Sequence, residues 1–442
     1  MKIEQLLGSL DRSTCNFCAV EEIREKLISE GYKPIDPSKP LGRLEGNKYY
    51  FEKNGSAIFA INIGSGIADG AGFRIIAAHS DSPCFKLKPS PEIITSDGTV
   101  LLNVEKYGGG IMYTWFDRPL SMSGRVMVKG NNPFSPRQLV FDLREPVAVI
   151  PHLAIHFNRE VNSGNALSVQ KDMKPVVGRF SREELLKFMK EGGVVNSMIA
   201  AHLNIDPSEI LSSEICLYPV GKPVLAGFHK EYIESGRIDD LSMALTGLYA
   251  FLDADADKNQ TPQTRVLAVF DNEETGSGTK QGAHSPYLKN MLQRICESVA
   301  SEQRDLFHRN LHNSFLVSAD DAHAYHPNYS EKHDPVNHPV IGGGPAIKIN
   351  ANCKYMTDAQ SAAVFAALCD EAGVPYQYFV NHGDVPGGST LGNILTSQLE
   401  IPGVDMGCAI WAMHSACETA GVADHLYTAE VFKLFYLREN IK

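Results

Sequence analysis

The stretch TRVLAVFDNEETGSG, residues 264–278, joins a run of apolar residues to a cluster of carboxylates. Its first half has the length and the β-branched content of a buried strand, and Gly276 and Gly278 allow the chain to turn tightly afterwards. Glu273 is followed directly by Glu274 in the chain, although neighbouring negative charges repel each other. Buried charges are normally paired or bound to a metal ion. The stretch therefore predicts a buried strand that ends at a charged functional site.

Strand and helix patterns alternate around this stretch. Apolar, strand-like runs occur at residues 48–54, 56–64, 73–83, 313–323, 346–351, 374–381 and 403–412. Apolar residues repeat with a helical period over 241–252 and predict a helix that begins near Asp240. A second predicted helix, over 361–373, ends at a glycine. This alternation indicates an α/β fold.

The pattern changes between about residue 90 and residue 229. Short, alternating runs bounded by turn residues predict β-strands there, and Ser181 with Glu184 forms the capping box of a predicted helix. A chain of 442 residues is longer than one hydrophobic core normally supports. We therefore predict a discontinuous α/β domain, residues 1–89 plus 230–442, into which a mostly β domain, residues 90–229, is inserted.

The composition argues against several classes of protein. The net charge of -11 disfavours nucleic acid and anionic membranes as partners. No apolar run reaches the roughly 18 residues of a membrane helix, and the N-terminal residues lack the apolar segment of a secretory signal. The nine cysteines are scattered and odd in number, which suits a reducing compartment, so we expect a cytoplasmic protein. The missing GxGxxG fingerprint argues against a dinucleotide-dependent dehydrogenase.

Histidines and carboxylates follow the predicted buried strands or precede a predicted helix. Sites in open α/β sheets form at the carboxyl ends of strands, so these side chains are expected to converge. The candidates are His79, Asp81, Asp239, Glu273, Glu274, Asp320 and His414. Imidazole and carboxylate donors suit zinc, cobalt or manganese better than an iron–sulfur cluster or calcium. Three carboxylates and two histidines suffice for two ions that share one bridging carboxylate, with a water molecule between them.

The two adjacent glutamates then take different roles. Glu274 would bind an ion, and Glu273 would accept a proton from the water molecule and pass it to a leaving amine. Each candidate residue alone is more often a helix cap, a surface charge or a satisfied core histidine. Their joint occurrence at successive strand ends favours the metal site over these separate explanations.

With these residues in place, the sequence resembles the aspartyl aminopeptidases, which are di-zinc exopeptidases of the co-catalytic metallopeptidase group. The resemblance covers nearly the whole chain. It rests, in order, on AAHSDSPCFKLKP, PHLAIHFNR, GRIDDL, FDNEETGSG, SADDAHAYHPNY, PAIKIN, DVPGGSTLG and AMHSACETAG. No one of these motifs is specific, but the ordered set is. It implies a three-layer α/β/α zinc-exopeptidase domain with a mostly β inserted dimerisation domain.

The resemblance also implies how the metal ligands divide between two Zn²⁺ ions. One ion is bound by His79, Asp239 and Asp320. The other is bound by Asp239, Glu274 and His414, so that Asp239 is the bridge. Co²⁺ or Mn²⁺ suits the same donors.

Other site residues take supporting roles in this resemblance. Glu273 is the general base, and Asp81 is a carboxylate that orients an imidazole and raises its basicity. The peptide bond between Asp239 and Asp240 is often cis in the wider group. Asp240 stands where relatives often have Asn, and we expect it not to contact a ligand.

Peptides with an N-terminal Asp or Glu are the implied substrates. Lys348 matches the family's position for meeting that acidic side chain, with His323 as a helper and the backbone at Gly388 as a donor. A lysine in a strand is, however, usually exposed. The inserted domain implies a homodimer in which His156 is lent to the partner subunit's site, and dimers that build a dodecamer.

The residues themselves leave two other functions open and argue against a third. The same chemistry serves a broad-specificity aminopeptidase. It also serves a carboxypeptidase or N-deacylase, which usually reads a free carboxylate through an arginine on a small lid domain. An inactive homologue with a binding role would lack at least one site residue, and none is missing.

Overall fold

The computed structural model describes residues 1–257, 261–385 and 387–439 of the protein. By packing, the chain divides into two compact units. The first comprises Met1–Asp81, Pro223–Met413 and Glu418–Lys442, and the second comprises Ser82–Lys222 and His414–Cys417. The chain therefore leaves the first unit after Asp81 and returns at Pro223, close to the changes of pattern near residues 89 and 230.

Helices and strands alternate through the first unit, whereas strands dominate the second. The helices are α1 (Ile3–Arg12), α2 (Asn16–Ser29), α3 (Val169–Asp172), α4 (Arg182–Lys190), α5 (Val194–Leu203), α6 (Ile238–Asp255), α7 (Tyr287–Val299), α8 (Leu306–His312), α9 (Ala359–Ala372), α10 (Leu391–Leu399) and α11 (Val422–Leu437). Within the described ranges, none of them has both the length and the apolar character needed to cross a membrane.

The strands group into a large and a small sheet in the first unit and one sheet in the second. They are β1 (Lys33–Pro34), β2 (Lys48–Lys53), β3 (Ala57–Asn62), β4 (Phe73–His79), β5 (Cys84–Ile94), β6 (Thr99–Tyr107), β7 (Pro119–Val128), β8 (Arg137–Asp142), β9 (Ala148–Val149), β10 (Val176–Arg179), β11 (Ile210–Pro219), β12 (Val224–Ala226), β13 (Tyr232–Ser235), β14 (Thr264–Phe270), β15 (Phe315–Ala319), β16 (Ala322–His323), β17 (Ala346–Lys348), β18 (Gln377–Phe379), β19 (Gly403–Gly407), β20 (Ala409–Trp411) and β21 (Glu418–Gly421).

The large sheet has the strand order β1-β2-β3-β14-β4-β15-β19-β17-β18. Its centre is parallel, since β4 pairs with β14 and β15, and β15 pairs with β19. Antiparallel pairs flank this centre through β3 on one side and β17 on the other. The prediction of an α/β fold is confirmed.

Helices cover both faces of the large sheet. In β4, Ile76 and Ala78 pack in an apolar cluster with residues of α6, α9 and α11. The alternate residues Ile75 and Ala77 pack in a second cluster with residues of α7, α8 and α10. Every residue of β4 is buried, as is typical of a parallel strand between two helical layers. The architecture is therefore the predicted three-layer α/β/α arrangement.

The predicted helix ends agree with the structure. The helix α6 begins at Ile238, but Asp239 and Asp240 have non-helical backbone angles, so regular helix begins after them. The helix α9 is followed by Gly373 in a left-handed conformation with φ of 67°, which a glycine adopts without steric penalty.

The second unit is built on an antiparallel sheet with the order β11-β5-β6-β10-β9-β7-β8. Because β11 also pairs with β7, six of these described strands form a closed ring. Its apolar interior includes Phe85, Leu102 and Met122. The predicted capping box is present at the start of α4, where Ser181 and Glu184 each accept the other's backbone N–H.

Parallel pairing brings the carboxyl ends of three strands to one edge of the large sheet. Phe270, the last residue of β14, lies opposite His79, the last residue of β4. Ser318 of β15 lies opposite Ala77 of β4. Asp320, two residues after Ser318, therefore follows β15 at the level of His79.

Gly407 is a position at this edge where two backbone segments approach each other closely. A Cβ atom at Gly407 would lie 1.9 Å from the backbone oxygen of Asp320, so Gly407→Ala must shift the backbone that carries Asp320. We expect the free energy of unfolding, measured with denaturant, to fall by about 3 kcal/mol, the upper end of typical overpacking. Gly221→Ala is the control, because a Cβ atom there has no neighbour within 4 Å. Equal unfolding free energies for the two variants would contradict this close approach.

Candidate metal centre

His79 ends β4 with its ring held from one side. Its Nδ1 donates to the backbone oxygen of Asp81 at 3.0 Å, since a carbonyl oxygen can only accept. The ring therefore presents Nε2, which lies 3.7 Å from Oδ1 of Asp239 and 3.9 Å from Oε2 of Glu273. An imidazole held at one nitrogen and facing carboxylates with the other has the orientation of a metal ligand.

Asp239 projects from a backbone segment that is fixed by hydrogen bonds. The peptide bond between Asp239 and Asp240 is cis. Glu418 on β21 accepts the backbone N–H groups of Ile238 at 2.7 Å and Asp239 at 3.2 Å. Oδ2 of Asp240 accepts the backbone N–H of His79 at 3.0 Å. All five residues are buried, so these bonds set the position of the Asp239 carboxylate.

Asp320 follows β15 and is paired with a buried lysine. Nζ of Lys348, on β17, lies 3.5 Å from Oδ1 of Asp320. Lys348 is only 3% exposed, which differs from the usual exposure of a strand lysine. Burial by itself lowers the pKa of Lys348, but the negative charges around it, that of Asp320 first, together outweigh burial and raise the pKa. The lysine therefore stays charged inside the protein because a carboxylate faces it.

A tight turn after β14 carries Glu273 and Glu274. Asn272 begins the turn with a φ of 64°. The carboxylate of Asp81 accepts the backbone N–H groups of Glu273 at 3.1 Å and Glu274 at 3.2 Å. Oδ1 of Asp81 also lies 3.4 Å from Nδ1 of His79. One buried carboxylate thus contacts both the imidazole and the turn.

The concentration of buried charge shifts the pKa values of the cluster. Burial raises the pKa of Glu273 to about 8, against the opposing effect of His79. Burial also raises the pKa of Asp240 well above its usual value. Burial alone would lower the pKa of His79, but its carboxylate neighbours, chiefly Asp240, raise it well above the usual value. These side chains therefore take up protons when no other cation neutralises them.

The donor atoms lie close enough together to share metal ions. Two sets of side chains can each contribute one donor atom per residue to an ion. Within each set, all the donor atoms lie within 4.8 Å of one another. The first set is His79, Asp239, Asp240 and Asp320, and the second is His79, Glu273 and Glu274. Nitrogen and oxygen donors with an excess of buried carboxylate fit a divalent ion such as zinc.

Besides Asp81 and Lys348, four predicted residues lie outside these two sets. His414 belongs by packing to the second unit, where its backbone oxygen accepts the N–H of Ile111 at 2.9 Å. His156 also lies in the second unit and is exposed. His323, on β16, and Gly388 are exposed residues of the first unit. The roles predicted for these four residues stay predictions.

Two buried carboxylates, one in the cluster and one next to it, differ from the sequence-based expectation. Asp240 was expected not to contact a ligand, and this was wrong, because it accepts the N–H of His79 and its Oδ2 lies 3.9 Å from Nε2 of His79. The non-helical backbone before α6 is what turns it inward. Glu418 was not predicted at all. Its one signal was an acidic residue in a short strand, a place where a buried carboxylate is rare without partners.

A sheet with a parallel centre and with His, Asp and Glu donors clustered at the carboxyl ends of its central strands is the arrangement of a metal-dependent hydrolase. The family described as aminopeptidase I zinc metalloprotease (M18) matches residues 9–436 of the chain. The chain is also 42% identical, over 433 residues and 98% of each chain, to the "Probable M18 family aminopeptidase 2" of Clostridium acetobutylicum strain ATCC 824. The chain belongs to the M18 family, and it is a zinc aminopeptidase that hydrolyses peptides.

Solved structures show the same fold. A chain from the "Cryo-EM structure of the Ape4 and Nbr1 complex" superposes with a TM-score of 0.93 at 34% identity, covering 98% of this chain and 84% of that one. A chain from the "Structure of S. cerevesiae mApe1 dodecamer" has a TM-score of 0.85 at 24% identity, covering 98% and 95%. The resemblance seen in the sequence is therefore confirmed, and aminopeptidase activity is supported over the carboxypeptidase and N-deacylase alternatives.

The raised pKa values predict how the stability of the metal-free protein depends on pH. Between the ordinary pKa of 4.5 and the folded value of about 8 for Glu273, the folded chain holds a proton that the unfolded chain releases. Stability therefore falls as pH rises through this window, and His79, whose pKa is also raised, contributes with the same sign. We expect the melting temperature of chelator-treated protein to fall between about pH 5.5 and about pH 8.5.

Two controls accompany this measurement. Glu273→Gln carries no titrating carboxyl at that position, so its melting temperature is expected to fall less over the same range. Added zinc is expected to restore stability most at the alkaline end, because the ions replace the protons. A melting temperature that rises with pH in the metal-free protein would contradict the argument.

Proposed function

We propose that this M18 enzyme removes N-terminal residues from peptides, by preference acidic ones, with two zinc ions in each subunit. The observation that carries the proposal is the clustering of His79, Asp239, Asp320 and the turn at 273–274 at one edge of the large sheet. Together the two sets hold five carboxylates around one imidazole, more than a single tetrahedral ion needs, which supports a pair of ions.

The ligand assignment follows the sequence resemblance, and the closeness of His79, Asp239 and Asp320 supports its first half. His79 and Asp320 would hold one ion together with Asp239. Glu274 and His414 would hold the second, also with Asp239 as the bridge. Zinc, when bound, supplies Lewis acidity and lowers the pKa of a water molecule. Cobalt or manganese suits the same donors.

Glu273 is proposed as the general base. Its side chain is 17% exposed, whereas that of His79 is 1% exposed, so Glu273 is the more accessible of the two to a substrate. It would accept a proton from the attacking water molecule and pass it to the leaving amine. Its pKa of about 8 in the metal-free site would be lowered by nearby cations, which leaves the ionised form that a base requires. Asp81 would hold the turn in place through its two backbone hydrogen bonds.

Lys348 is proposed to recognise the acidic side chain of the substrate. It is the buried cation beside Asp320. Its ammonium group has three N–H donors, so donors that Asp320 does not use would remain for the carboxylate of a substrate. His323 and the backbone at Gly388 would add polar contacts from exposed positions. Broad specificity is the second candidate, and the pairing of Lys348 with Asp320 favours it, because a paired lysine attracts a substrate carboxylate less strongly.

The second unit, which corresponds to the predicted insert at 90–229, is proposed as a dimerisation domain. Its segment PHLAIHF exposes Leu153, Ile155 and Phe157 by 56%, 53% and 80%. Exposed apolar patches of this kind mark interfaces. A second copy of the chain covering the segment would place His156 toward the partner's site, and such dimers would assemble further, as in the mApe1 dodecamer. A cytoplasmic location is part of the proposal, because the nine cysteines of the chain are scattered and odd in number, which suits a reducing compartment.

A panel of peptide reporters that differ only in the N-terminal residue tests the proposed specificity. We expect kcat/KM for Asp and Glu to exceed that for Ala and Leu by at least about tenfold, the effect of one charge-assisted hydrogen bond. Chelator is expected to abolish all cleavage. Lys348→Met should remove the preference while exposed Lys354→Met should keep it. Faster cleavage of neutral residues by the unchanged enzyme would refute the acidic preference and leave the aminopeptidase assignment intact.

The substitution Glu273→Gln distinguishes the role of a general base from the role of a metal ligand. The amide cannot accept the proton, so we expect kcat to fall by about 10²–10⁴-fold while the zinc content, measured by elemental analysis, stays unchanged. Glu274→Gln is the matched control and is expected to lose zinc as well as activity. If Glu273→Gln lost metal and Glu274→Gln kept it, the two glutamates would have the opposite roles.

A further inference from the structure

A second group of metal-binding side chains lies in the first unit and shares no residue with the cluster described above. Asp321 lies between β15 and β16, Cys408 lies between β19 and β20, and His425 lies on α11. Both loop positions are points where the chain passes from the large sheet to the small one. The three residues are 2%, 0% and 0% exposed. The fold thus buries a carboxylate, a thiol and an imidazole side by side.

Two of the three donor atoms have no hydrogen bond among the described residues. Nδ1 of His425 donates to the backbone oxygen of Gly421 at 2.9 Å, which leaves Nε2 with its lone pair and without a partner. Oδ2 of Asp321 accepts from Ser242 at 2.9 Å, while Oδ1 has no partner. Buried polar atoms are rarely left unsatisfied. A backbone-held imidazole and a hydroxyl-held carboxylate are the supports that metal ligands normally have.

The distances between the donors suit an ion. Donor atoms of Asp321, Cys408 and His425 lie within 4.8 Å of one another. The centre of a triangle with such sides is at most about 2.8 Å from each corner. Zinc bonds are about 2.0–2.3 Å long, so inward movements of at most about 0.5–0.8 Å would complete the contacts.

We propose that Asp321, Cys408 and His425 form a third metal site, which binds a zinc-like divalent ion. The mixed sulfur, nitrogen and oxygen donors suit zinc or cobalt and disfavour magnesium or calcium. Burial lowers the pKa of His425 to about 4, so its imidazole is neutral and able to coordinate near neutral pH. The ion displaces the thiol proton of Cys408, whose Sγ lies 3.4 Å from Oγ1 of Thr428. The site is structural and ties α11 to both crossing points.

Nucleophilic catalysis is the other chemistry that a Cys, His and Asp group suggests. Complete burial of Cys408 leaves no route for a peptide substrate. Burial also raises the pKa of its thiol, whereas a reactive cysteine needs a lowered one. A buried water molecule bridging the same atoms is the remaining alternative, and it predicts no metal.

Cobalt spectroscopy of the full chain tests the third site separately from the proposed catalytic one. Protein is produced in cobalt-supplemented medium, so that the ion is present while the buried site folds. Only a thiolate ligand gives a sulfur-to-cobalt charge-transfer absorption in the near ultraviolet, and the ligands of the proposed catalytic site carry only nitrogen and oxygen. We expect this absorption in the unchanged protein and in Cys369→Ser, which alters another fully buried cysteine. We expect Cys408→Ser to lose it.

Metal counting gives the second measurement. Cys408→Ser is expected to hold one ion fewer per chain than Cys369→Ser, whatever number the other site binds. If Cys408→Ser does not fold, His425→Gln provides the same comparison. Absence of the sulfur-to-cobalt absorption in the unchanged protein, its persistence in Cys408→Ser, or a crystal of zinc-loaded protein without anomalous signal between the three residues would each overturn the proposal.

Discussion

The parallel pairing of β4 with β14 and β15 is the constraint on which the site depends. It sets the ends of three strands at one level, with Phe270 opposite His79. Because each strand is buried between helical layers, the residues that follow it leave the apolar interior together. Polar side chains at those positions must then satisfy one another or bind a shared partner. The functional side chains therefore lie together at the carboxyl ends of the central strands, as in other open α/β sheets.

The collected carboxylates are unfavourable without cations. Burial raises the pKa values of Asp240 and Glu273, and Lys348 offsets only part of the charge through Asp320. The metal-free site is therefore unfavourable, and a bound zinc ion would neutralise the excess negative charge. Proton uptake and metal binding are competing ways to neutralise the same side chains.

Backbone hydrogen bonds to carboxylates hold the irregular segments of the site. Asp81 accepts two N–H groups from the turn after β14, and Glu418 accepts two from the segment before α6. Both carboxylates are buried and both serve N–H groups that no strand or helix could pair. Positioning by buried carboxylates allows a turn and a non-helical segment to present ligands as rigidly as a strand would.

The sequence by itself determined the alternation of strands and helices, because burial on both sheet faces leaves a periodic pattern of apolar residues. It also determined which residues follow the strand ends, so the closeness of His79, Glu274 and Asp320 at one edge of the sheet could be predicted. Only the tertiary structure decided that Lys348 is buried against Asp320 and that Glu418 holds Asp239 across a separation of 179 residues. Such contacts depend on where side chains point from non-repetitive backbone, and no local pattern along the chain encodes that direction.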